Sequence, residues 1–377
     1  MSNRRLAVLI SFSGQGGVER MVMNLLRQFA RYSGLEIDLL LIRAQGPHLA
    51  NIPANVNVIH LKAQHTLTSI PELIGYLRSR RPEAMLVAKD RAGRAALLAK
   101  LIARVKTRIV IRLGTNLSTA LEQRSTFNRW LRTMPMRFLY PMAHKIIAVS
   151  EGVKQDTIAL AHIAANTVAV VRNPVITAAM IESATEAAPH DWLNEDIPVV
   201  LGIGRLSRQK DFPTLINAFA KARKHRELRL IILGEGGDRV ALQALIDELG
   251  ISDVVAMPGF DVNPYRWLAY VDLFVLSSLW EGSPNALTEA LALGIPSIST
   301  RCPSGPNETL DEGRYGKLLS MGDDDAMAEA IIETLAMPLT AETLKQAVVE
   351  YRDTLSAAHY LNLLELEVNK STTDGGA

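Results

Sequence analysis

The sequence predicts an α/β protein with two domains, each built on a parallel β-sheet that carries helices on both faces. Its 377 residues are enough for two domains of ordinary size. Short apolar runs alternate along the chain with segments whose apolar residues recur at helical spacing, and this alternation is typical of parallel sheets covered by helices. The alternation stops at Arg172-Asn173-Pro174-Val175 and restarts near residue 198. Because proline cannot continue a strand interior, we expect the domains to divide there.

The first half alternates strand candidates with helix candidates. Val18, Met21, Val22 and Leu25, for example, follow the spacing of one helix face. The predicted strands are 6–12, 37–42, 56–61, 84–88, 108–112, 145–150 and 168–171. The predicted helices are 18–31, 71–80, 92–105, 128–138 and 151–161.

The second half repeats the pattern after residues 177–196, which we interpret as a linker with an irregular segment. Its predicted strands are 198–204, 228–233, 254–257, 273–277 and 296–299. Its predicted helices are 213–224, 239–249, 262–271, 286–293, 325–335 and 341–368. We therefore expect an N-terminal domain at 1–172, a second domain at 173–350, and a C-terminal helix at 351–377 that returns to the N-terminal domain and ends in a frayed tail.

Composition indicates an ordinary folded protein, with 48% apolar and 21% charged residues. Cys302 is the single cysteine, which excludes a disulfide within the chain and favours a cytoplasmic location. We interpret its thiol as packed rather than nucleophilic. The apolar run 6–12 meets a glycine turn without a cleavage site, so a first strand is favoured over a signal peptide. No apolar stretch reaches the roughly 18 residues of a membrane-spanning helix.

Charge is divided unevenly along the chain. Residues 1–172 hold 25 Lys and Arg against 9 Asp and Glu, a net charge of +16, and residues 173–377 hold 16 against 30, a net charge of −14. The basic half is expected to meet an anionic partner, and unevenly solvated surfaces are the alternative. Nucleic acid would explain the basic half but leaves the acidic half unexplained.

The segment 124–145 favours an anionic membrane surface as that partner. Cations alternate there with large apolar side chains, which suits a bilayer interface, although apolar residues that face the domain core are the alternative. The cations are Arg124, Arg129, Arg132, Arg137 and Lys145, and the apolar residues are Phe127, Trp130, Leu131, Met134, Met136, Phe138, Leu139 and Tyr140.

Three glycine-containing turns follow predicted strands. Gly16 and Gly17 precede the first helix, where glycine lets the backbone approach a ligand and free N–H groups suit a phosphate. Because position 19 is Glu19, the turn lacks the G-x-G-x-x-G dinucleotide pattern. Gly234, within Gly234-Glu235-Gly236-Gly237, follows the strand 228–233. A plain tight turn is the alternative for both segments.

The third turn, Gly204-Arg205-Leu206-Ser207-Arg208-Gln209-Lys210-Asp211, carries two candidate phosphate ligands. Arg205 and Lys210 emerge where the strand 198–204 ends. Two cations at one strand end suit a diphosphate whose negative charge grows as it departs. A solvated basic loop is the alternative.

The most specific segment is Trp280-Glu281-Gly282-Ser283-Pro284-Asn285-Ala286-Leu287-Thr288-Glu289-Ala290. Gly282 and Ser283 expose backbone amides, and Pro284 can begin a helix. Glu289 falls on an otherwise apolar helix face, where a carboxylate needs a partner or a ligand hydroxyl, and ribose hydroxyls would serve.

Together these motifs resemble glycosyltransferase family 4, retaining enzymes of the GT-B fold. The ordered set is Gly16-Gly17-x-Glu19, Gly204-Arg205-Leu206 with Gln209-Lys210, Gly234-x-Gly236, Glu281-x7-Glu289 and Gly294-x-Pro296. The resemblance implies two Rossmann-like domains whose parallel sheets face a central cleft. It implies transfer of a sugar from a nucleotide diphosphate sugar, UDP-linked in our expectation, to a lipid-linked or growing polysaccharide, lipopolysaccharide or capsule acceptor. We expect a cytoplasmic enzyme, and the basic first half favours a peripheral position on the cytoplasmic face of the inner membrane.

The resemblance also implies roles for single residues. Arg205 and Lys210 would bind the donor diphosphate, Glu289 would hold the ribose, and Glu281 would contact the donor sugar. Further donor contacts would come from the 282–287 backbone, from Gly234 and from Phe260 beside the nucleobase. These residues are Gly282, Ser283, Pro284, Asn285, Ala286 and Leu287. Gly16 and Gly17 would let the first helix approach the phosphate and the acceptor.

One departure from the family concerns the N-terminal domain. Many members carry a histidine near the donor sugar, whereas this chain has Ile111-Arg112-Leu113-Gly114-Thr115-Asn116 at the comparable strand end. The candidates to replace it are Lys89, Asp90, Arg112 and Asn116. No Asp-x-Asp motif follows a strand, and Asp323-Asp324-Asp325 is interpreted as a helix cap. We therefore expect no cofactor and no metal, with Arg205 and Lys210 supplying the positive charge that Mg²⁺ supplies elsewhere.

The expected mechanism is substitution on one face of the sugar, in which the departing diphosphate helps to remove the proton of the acceptor hydroxyl. Two other enzyme classes remain as alternatives. A nucleotide-sugar epimerase shares the fold and would convert the donor without an acceptor. A nicotinamide-dependent oxidoreductase would need a dinucleotide fingerprint, which the first half does not contain.

Overall fold

A computed structural model describes residues 4–13, 17–45, 49, 52–122 and 125–370 of the chain. The chain forms two compact units. One comprises Met1–Pro174 with Arg352–Ala377, and the other comprises Val175–Tyr351.

The first unit is built on one large parallel sheet. The strands of its N-terminal part are β1 (Arg4–Ser13), β2 (Tyr32–Ser33), β3 (Leu35–Gln45), β4 (Val56–His60), β5 (Ala84–Ala88), β6 (Arg108–Leu113), β7 (Lys145–Ala148) and β8 (Val168–Val170). All of them except β2 form a seven-stranded sheet in the order β4-β3-β1-β5-β6-β7-β8. The neighbouring strands run parallel throughout this sheet.

Helices cover both faces of this sheet because the strands are apolar on both sides. The helices are α1 (Gly17–Phe29), α2 (Ile70–Arg80), α3 (Asp90–Ala103), α4 (Leu117–Ala120), α5 (Thr126–Leu139) and α6 (Glu151–Ala161). Successive side chains of a strand point to opposite faces. Val8 of β1 accordingly packs in one core cluster with Leu26 of α1, whereas Leu9 packs in a second cluster with Leu97 of α3.

The second unit has the same architecture with fewer strands. They are β9 (Val199–Ile203), β10 (Arg229–Leu233), β11 (Val255–Gly259), β12 (Leu273–Leu276), β13 (Ser297–Thr300) and β14 (Lys317–Leu319). They form a six-stranded parallel sheet in the order β11-β10-β9-β12-β13-β14. The helices are α7 (Ala178–Ser183), α8 (Phe212–Ala222), α9 (Arg239–Glu248), α10 (Tyr265–Leu268), α11 (Asn285–Ala292), α12 (Pro306–Thr309), α13 (Asp324–Ala336) and α14 (Ala341–Gln346).

After Tyr351 the chain rejoins the first unit through α15 (Asp353–Leu363) and β15 (Asn369–Lys370). Gln28 in α1 donates a hydrogen bond to Asp353 Oδ2 at 2.7 Å, and Tyr360 lies in the same core cluster as α1. The guanidinium of Arg108 donates to the Leu364 and Glu365 carbonyl oxygens, each at 3.1 Å. β15 pairs antiparallel with β2, so the C-terminal segment is an integral part of the first unit.

Several expected elements differ in the structure. The expected helix 341–368 is interrupted between α14 and α15 because the chain passes there from the second unit to the first. The expected helix 262–271 is reduced to α10, since Asn263 Oδ1 accepts a hydrogen bond from the Tyr265 amide and fixes the start of the helix. The segment 177–196 contains α7, and Met180 in it joins the core. β11 extends to Gly259, two residues beyond the predicted strand 254–257, and Phe260 follows it directly.

Within the described ranges, no helix combines the length and hydropathy needed to cross a bilayer. The same part of the chain holds no group of three or more His, Cys, Asp or Glu side chains arranged to bind a metal ion.

Candidate functional site

Each sheet has one position where the strand order reverses, and the candidate residues gather at these two positions. In the first sheet the reversal lies between β1 and β5, and in the second it lies between β9 and β12. The loops that leave neighbouring strands at such a position diverge to opposite faces of the sheet and leave a crevice at the carboxyl ends. Ligands of open α/β sheets bind in that crevice.

In the second unit, two loops meet at the crevice and are joined by hydrogen bonds. The loop after β9 contains Gln209 and Lys210, and the loop after β12 contains Ser277 to Glu281. The Leu279 amide donates to the Gln209 carbonyl at 2.8 Å, and Gln209 Nε2 donates to the Trp280 carbonyl at 2.9 Å. Ser277 Oγ donates to the Lys210 carbonyl at 2.7 Å. The main chain of both loops is therefore fixed before any ligand binds.

These loops bring together Lys210 and Glu281, two residues that the sequence assigned to the site. Lys210 Nζ lies 2.5 Å from Glu281 Oε1, and Ser278 Oγ donates to the same oxygen at 2.8 Å. Glu281 is buried, with 7% of its surface exposed. A buried carboxylate and an ammonium at this distance hold each other in one position, because separating them would leave a desolvated charge unpaired. The ammonium is thus fixed at the carboxyl end of β9.

Gly204 makes this placement of Lys210 possible. A Cβ atom on Gly204 would lie 2.8 Å from Lys210 Cε and within 2.9 Å of Cδ and Cγ, so the lysine stem crosses the space that a side chain would occupy.

Close main-chain packing explains why positions 234 and 236 are occupied by glycine. A Cβ on Gly234, whose φ is +146°, would lie 1.9 Å from the Gly204 carbonyl oxygen, and one on Gly236 would lie 2.1 Å from the Leu206 carbonyl oxygen. The Leu206 amide also donates to the Glu235 carbonyl at 2.9 Å. These glycines let the turn after β10 support the loop that carries Lys210. This packing explains both glycines without a ligand, so the assignment of Gly234 to donor binding stays a prediction.

The segment from Gly282 to Leu287 continues from Glu281 into the first turn of α11. A Cβ on Gly305 would lie 2.6 Å from Pro284 Cδ and 3.2 Å from the Gly282 carbonyl oxygen, so the loop after β13 packs directly on this segment. Pro284 occupies the cap position of α11 and provides no side-chain cap. The amides of Ala286 and Leu287 in the first turn therefore have no acceptor within the helix and suit an anionic ligand.

Ser283 adds an unsatisfied donor to this segment. Its Oγ is buried and has no hydrogen-bond partner in the described part of the chain. A buried hydroxyl without a partner costs free energy, and a ligand that bonded to it would remove that cost.

Glu289 is buried in α11, with 3% of its surface exposed, as its apolar surroundings predicted. It interacts with other groups of the chain, so its burial does not by itself require a ligand. Its assignment to ribose stays a prediction.

Arg205 and Phe260 are the accessible members of the set. Arg205 is exposed, and its side chain makes no hydrogen bond or ion pair with a described residue. Phe260, directly after β11, is 47% exposed. Both remain available to a ligand.

Cys302, in contrast, is buried. Burial raises the pKa of its thiol to about 12, which agrees with the interpretation of this thiol as packed rather than nucleophilic.

The first unit holds a second lysine–glutamate pair, between β1 and β5. Lys89 Nζ donates to Glu19 Oε1 at 2.9 Å and to the Ser11 carbonyl at 3.1 Å. Glu19 is only 3% exposed in the first turn of α1. Lys89 follows β5 with a φ of 82°, which is rare for a residue other than glycine and is often found at functional sites. Gly17 begins α1, and Gly16 lies outside the described residues.

A cavity of about 420 Å³ opens beside this pair, wholly within the first unit. It contains three of the four residues expected to replace the missing histidine, namely Lys89, Asp90 and Arg112. The other residues around it come from the strand ends and the loops after them, from α1, α3, α4, α5 and α6 or directly after α5, and from the loop before α2. They are Ser11, Val18, Thr66, Ala88, Arg91, Ala92, Leu113, Gly114, Thr115, Leu117, Arg132, Met136, Tyr140, Asp156 and Thr157.

Within this cavity Asp90 and Arg112 are held by protein groups. Asp90 accepts from Tyr140 Oη and from Arg94 Nη2, each at 2.7 Å. Arg112 donates through Nη2 to Asn173 Oδ1 at 2.7 Å, and its burial lowers its pKa.

Asn116, the fourth candidate, caps a helix instead of lining the cavity. Its Oδ1 accepts from the Thr119 amide at 3.2 Å and from Thr119 Oγ1 at 3.0 Å, at the start of α4. These bonds explain the short polar side chain at this position, and no ligand is needed to account for it.

Several residues of these sites have no site role in the sequence analysis. Gln209 and Ser278 fix the two loops of the second unit, and Arg91, Tyr140 and Asp156 line the cavity of the first. Arg91 could have been found, because it follows a predicted strand end by only a few residues. Ser278 directly follows the predicted strand 273–277 and could have been found in the same way, whereas Tyr140 and Asp156 lie in helical segments.

Helix α5 exposes a set of large apolar side chains. The exposed fractions are 69% for Phe127, 53% for Trp130, 55% for Leu131 and 67% for Phe138. The Phe127 and Trp130 rings stack with 6.3 Å between their centroids. Met136 and Tyr140 are buried instead. The apolar residues of segment 124–145 thus belong to two faces, and only one of them joins the core.

Family models match both units of the chain. The one described as "Glycosyltransferase Family 4" matches residues 15–179, and the one described as "Glycosyl transferases group 1" matches residues 185–350. Together they cover both lysine–glutamate pairs and every strand of the two large sheets except β1, which precedes the first match.

Curated relatives match over part of their length. The chain is 30% identical over 242 residues to the N-acetylgalactosamine-N,N'-diacetylbacillosaminyl-diphospho-undecaprenol 4-alpha-N-acetylgalactosaminyltransferase of Campylobacter jejuni, a match that covers 64% of each chain. It is 34% identical over 186 residues to the lipopolysaccharide 1,6-galactosyltransferase of Salmonella typhimurium, which covers 48% of this chain and 49% of the relative. The matches therefore span less than two thirds of these relatives' lengths.

Solved structures share the fold over nearly the whole chain. HepE of Anabaena in complex with UDP superposes with a TM-score of 0.75 at 20% identity, covering 96% of this chain and 99% of HepE. The lipopolysaccharide outer core galactosyltransferase WaaB superposes with a TM-score of 0.72 at 21% identity, again covering 96% and 99%. These likenesses confirm the predicted arrangement of two parallel-sheet, Rossmann-like units.

Proposed function

We infer that this chain, a member of glycosyltransferase family 4 with the GT-B fold, transfers a sugar from a nucleotide diphosphate sugar to a hydroxyl group. The observation that carries the inference is Lys210, fixed by buried Glu281 at the crevice of the second sheet. A fixed cation beside the amides of α11 forms a preorganised site for a departing diphosphate. Such preorganised charge is the largest single contribution to many enzymatic rate enhancements.

We propose a UDP-linked donor and retention of the anomeric configuration. Support for the nucleotide comes from HepE, which was solved with UDP and with UDP-glucose. In the proposed reaction the acceptor oxygen forms a bond to the anomeric carbon while the bond from that carbon to the diphosphate oxygen breaks. The acceptor proton passes to the departing diphosphate. Arg205 and Lys210 hold that diphosphate, and Glu281 keeps Lys210 in place beside it.

Analysis of the reaction products tests this function. The chain is incubated with UDP-, GDP-, ADP- and dTDP-sugars and with a membrane extract as the source of acceptor, and ¹H NMR follows the anomeric signals. We expect release of a nucleoside diphosphate that depends on the acceptor, and an α-linked product from an α-linked donor. Conversion of the donor to another sugar without an acceptor would identify an epimerase and contradict the proposal.

The reaction is proposed to need no metal ion, because Lys210 and Arg205 supply positive charge at the diphosphate. Turnover should therefore persist in excess EDTA at the level measured without it. The control is a Mg²⁺-dependent enzyme assayed in the same EDTA buffer. Complete loss of turnover that Mn²⁺ or Mg²⁺ restores would show that the two cations do not suffice.

The acceptor is proposed to be a lipid-linked or growing polysaccharide, reached from the cytoplasmic membrane surface. The Campylobacter jejuni relative is named for a diphospho-undecaprenol acceptor, and the Salmonella typhimurium relative for lipopolysaccharide. The charges of the two units fit this proposal. The first unit holds 27 Lys and Arg against 13 Asp and Glu, a net charge of +14, and the second holds 14 against 26, a net charge of −12.

Helix α5 is the proposed contact with the membrane. Trp130 and Phe138 are exposed on it beside Arg129 and Arg137, and each cation near an anionic surface contributes about 1 kcal/mol. Apolar rings at the headgroup level add to this attraction. The occupant that these features favour is an anionic bilayer.

Flotation with liposomes tests the contact. Wild-type chain should float with anionic liposomes at low salt, and the double variant Arg129→Glu/Arg137→Glu should remain in the soluble fraction. The matched control, Lys224→Glu/Arg226→Glu, makes the same charge change on the second unit and should float normally. Equal flotation with neutral and anionic liposomes, or equal loss in both double variants, would contradict the proposed contact.

A further inference from the structure

We propose that Asp261 is a positioning residue of the donor site, because it holds the Phe260 ring where the nucleobase of the donor binds. This inference rests on the proposed function and extends it. The resemblance to the family assigned Phe260 to the nucleobase and gave Asp261 no role. Both residues belong to the loop 260–263, which directly follows β11 in the second unit.

This loop turns its polar side chains toward the protein and its apolar side chains toward solvent. Asp261 keeps only 14% of its side chain exposed, whereas Phe260 is 47% exposed and Val262 is 72% exposed. Both tendencies are unfavourable, since the carboxylate is desolvated while two large apolar side chains stay in water. An aromatic ring kept exposed in this way is suited to line a ligand site.

Four hydrogen bonds hold the Asp261 carboxylate in its inward position. Its Oδ1 accepts from the Asn263 amide at 2.9 Å. Its Oδ2 accepts from Trp267 Nε1 at 2.8 Å and from Arg266 Nη2 and Nε at 2.8 and 3.3 Å. Burial alone would raise the pKa of this carboxyl, but the hydrogen bonds lower its pKa below the usual value, so the group stays ionised. A charged acceptor with both oxygens engaged fixes residue 261 and therefore the neighbouring Phe260.

Asn263 fixes the other side of the loop. Its Nδ2 donates to the Ser183 carbonyl at 3.0 Å, and its Oδ1 accepts from the Tyr265 amide at 3.2 Å. The loop is therefore held at two alternate positions by side chains that bond to the protein, and its conformation is set before a ligand binds.

Main-chain contacts connect this loop to the one that carries Lys210. The Gly234 amide donates to the Gly259 carbonyl, directly before Phe260, at 2.8 Å. Gly234 in turn packs against the Gly204 carbonyl oxygen. Only β10 separates β11 from β9, so these two strands lie about 10 Å apart. One nucleotide can bridge this distance, with its base at Phe260 and its diphosphate at Lys210.

Titration of UDP, followed by isothermal calorimetry, tests the role of Asp261. Asp261→Asn keeps the shape of the side chain but turns an amide N–H₂ toward donors, because both oxygens of the aspartate accept hydrogen bonds. It should bind UDP about tenfold more weakly than wild type, the scale of one base–aromatic contact. Phe260→Ala should lose a similar factor.

The matched control is Asp247→Asn. Asp247 also accepts side-chain hydrogen bonds, from Gln243 and Ser252, but it is exposed near the end of α9. This variant should bind UDP like wild type. Equal UDP affinity in Asp261→Asn and wild type, or equal weakening in Asp261→Asn and Asp247→Asn, would overturn the inference.

The double variant Phe260→Ala/Asp261→Asn shows whether Asp261 acts through Phe260. If Asp261 positions the ring, its replacement has little left to disturb once the ring is absent, and the double variant should bind UDP within twofold of Phe260→Ala. Two losses that multiply to about a hundredfold would show that Asp261 acts independently of Phe260, which contradicts a positioning role.

Kinetics separate positioning of the nucleobase from a general structural role. The nucleobase contact is the same before and during the reaction, so Asp261→Asn should raise the donor KM about tenfold and leave kcat within twofold of wild type. A lowered kcat with an unchanged donor KM would contradict the proposed role.

Arg266→Met provides a second variant if Asp261→Asn does not fold. It removes two of the four hydrogen bonds from a partly exposed side chain and leaves the carboxylate in place. UDP binding should weaken roughly threefold, the effect of losing part of the hydrogen bonding. Unchanged UDP affinity in this variant would then overturn the inference.

Failure of the proposed function has a different signature. Wild type would then bind neither UDP nor GDP, ADP or dTDP. Failure of the present inference would leave nucleotide binding by wild type intact and remove only the difference between wild type and Asp261→Asn.

Discussion

Replacing Lys210 with methionine is expected to lower turnover by about two to three orders of magnitude, the scale of losing one preorganised charge partner. Methionine keeps the length of the lysine stem that crosses Gly204 but removes the ammonium that Glu281 holds. The transition state would then lose a fixed positive charge at the departing diphosphate. Steady-state kinetics should show the loss in kcat, because the charge develops during the reaction.

The matched control for this substitution is Lys221→Met. Lys221 also forms ion pairs, with Asp324 and Asp325, but it lies on the surface in α8. Its replacement should leave kcat within twofold of wild type, because exposed ion pairs contribute little to stability and these pairs lie outside the proposed site. Near-normal turnover in folded Lys210→Met would remove this residue from the proposed site.

Gly234→Ala is expected to destabilise the second unit by about 3 kcal/mol, or roughly 10 °C in its Tm. The added Cβ would lie 1.9 Å from the Gly204 carbonyl oxygen, and the backbone φ of +146° is itself unfavourable for alanine. Because the Gly204 main chain cannot move without disturbing β9, the contact cannot be relieved by a side-chain rotation. Thermal unfolding followed by circular dichroism measures the change.

Gly237→Ala provides a control three residues away in the same turn. A Cβ at Gly237 would meet no atom within 4 Å, so this variant should unfold within about 2 °C of wild type. Equal Tm values for the two variants would show that the turn after β10 can move. The close packing of that turn against Gly204 would then not support the Lys210 loop.

Local sequence patterns predicted the strands and helices well where a single element buries an apolar face. They predicted the positions of Lys210 and Glu281 at strand ends, but not their ion pair. That pair joins residues 71 positions apart, and it forms because β12 lies next to β9 while β10 and β11 lie on the other side. The order of strands depends on contacts between distant segments, which local periodicity does not contain.

The pair in the first unit shows the same limit. Glu19 was visible in the sequence as part of a family-like glycine motif, and Lys89 as a strand-end candidate to replace the missing histidine, but nothing in the sequence joined the two. Their ion pair follows from the placement of β5 beside β1. Asn116 shows a different limit, because a helix cap and a ligand contact require the same side chain, and only the α4 hydrogen bonds distinguish them.

Helix α5 shows why amphipathic patterns alone were insufficient. Its sequence allowed the apolar residues to face either the core or a membrane, and the structure buries some of them in the core and leaves others exposed. Met136 faces the core, while Phe127 and Phe138 remain exposed. A helix with a narrow buried face can have the same composition as a helix with a wide buried face. Which apolar residues of α5 are buried therefore depends on the helices packed against it, and the local sequence does not specify them.

The most direct test of the central claim is titration of UDP into the wild-type chain, into Arg205→Ala and into Arg226→Ala. Arg205 follows the carboxyl end of β9. Arg226 is exposed and precedes the amino end of β10, so it lies at the other end of the strands of the same sheet. Wild type and Arg226→Ala should bind UDP with equal affinity, and Arg205→Ala should bind it roughly tenfold or more weakly, as the loss of a charged hydrogen-bond donor predicts. No binding by wild type to UDP or to any other nucleoside diphosphate, or equal affinity in all three proteins, would contradict a donor site at the crevice of the second sheet.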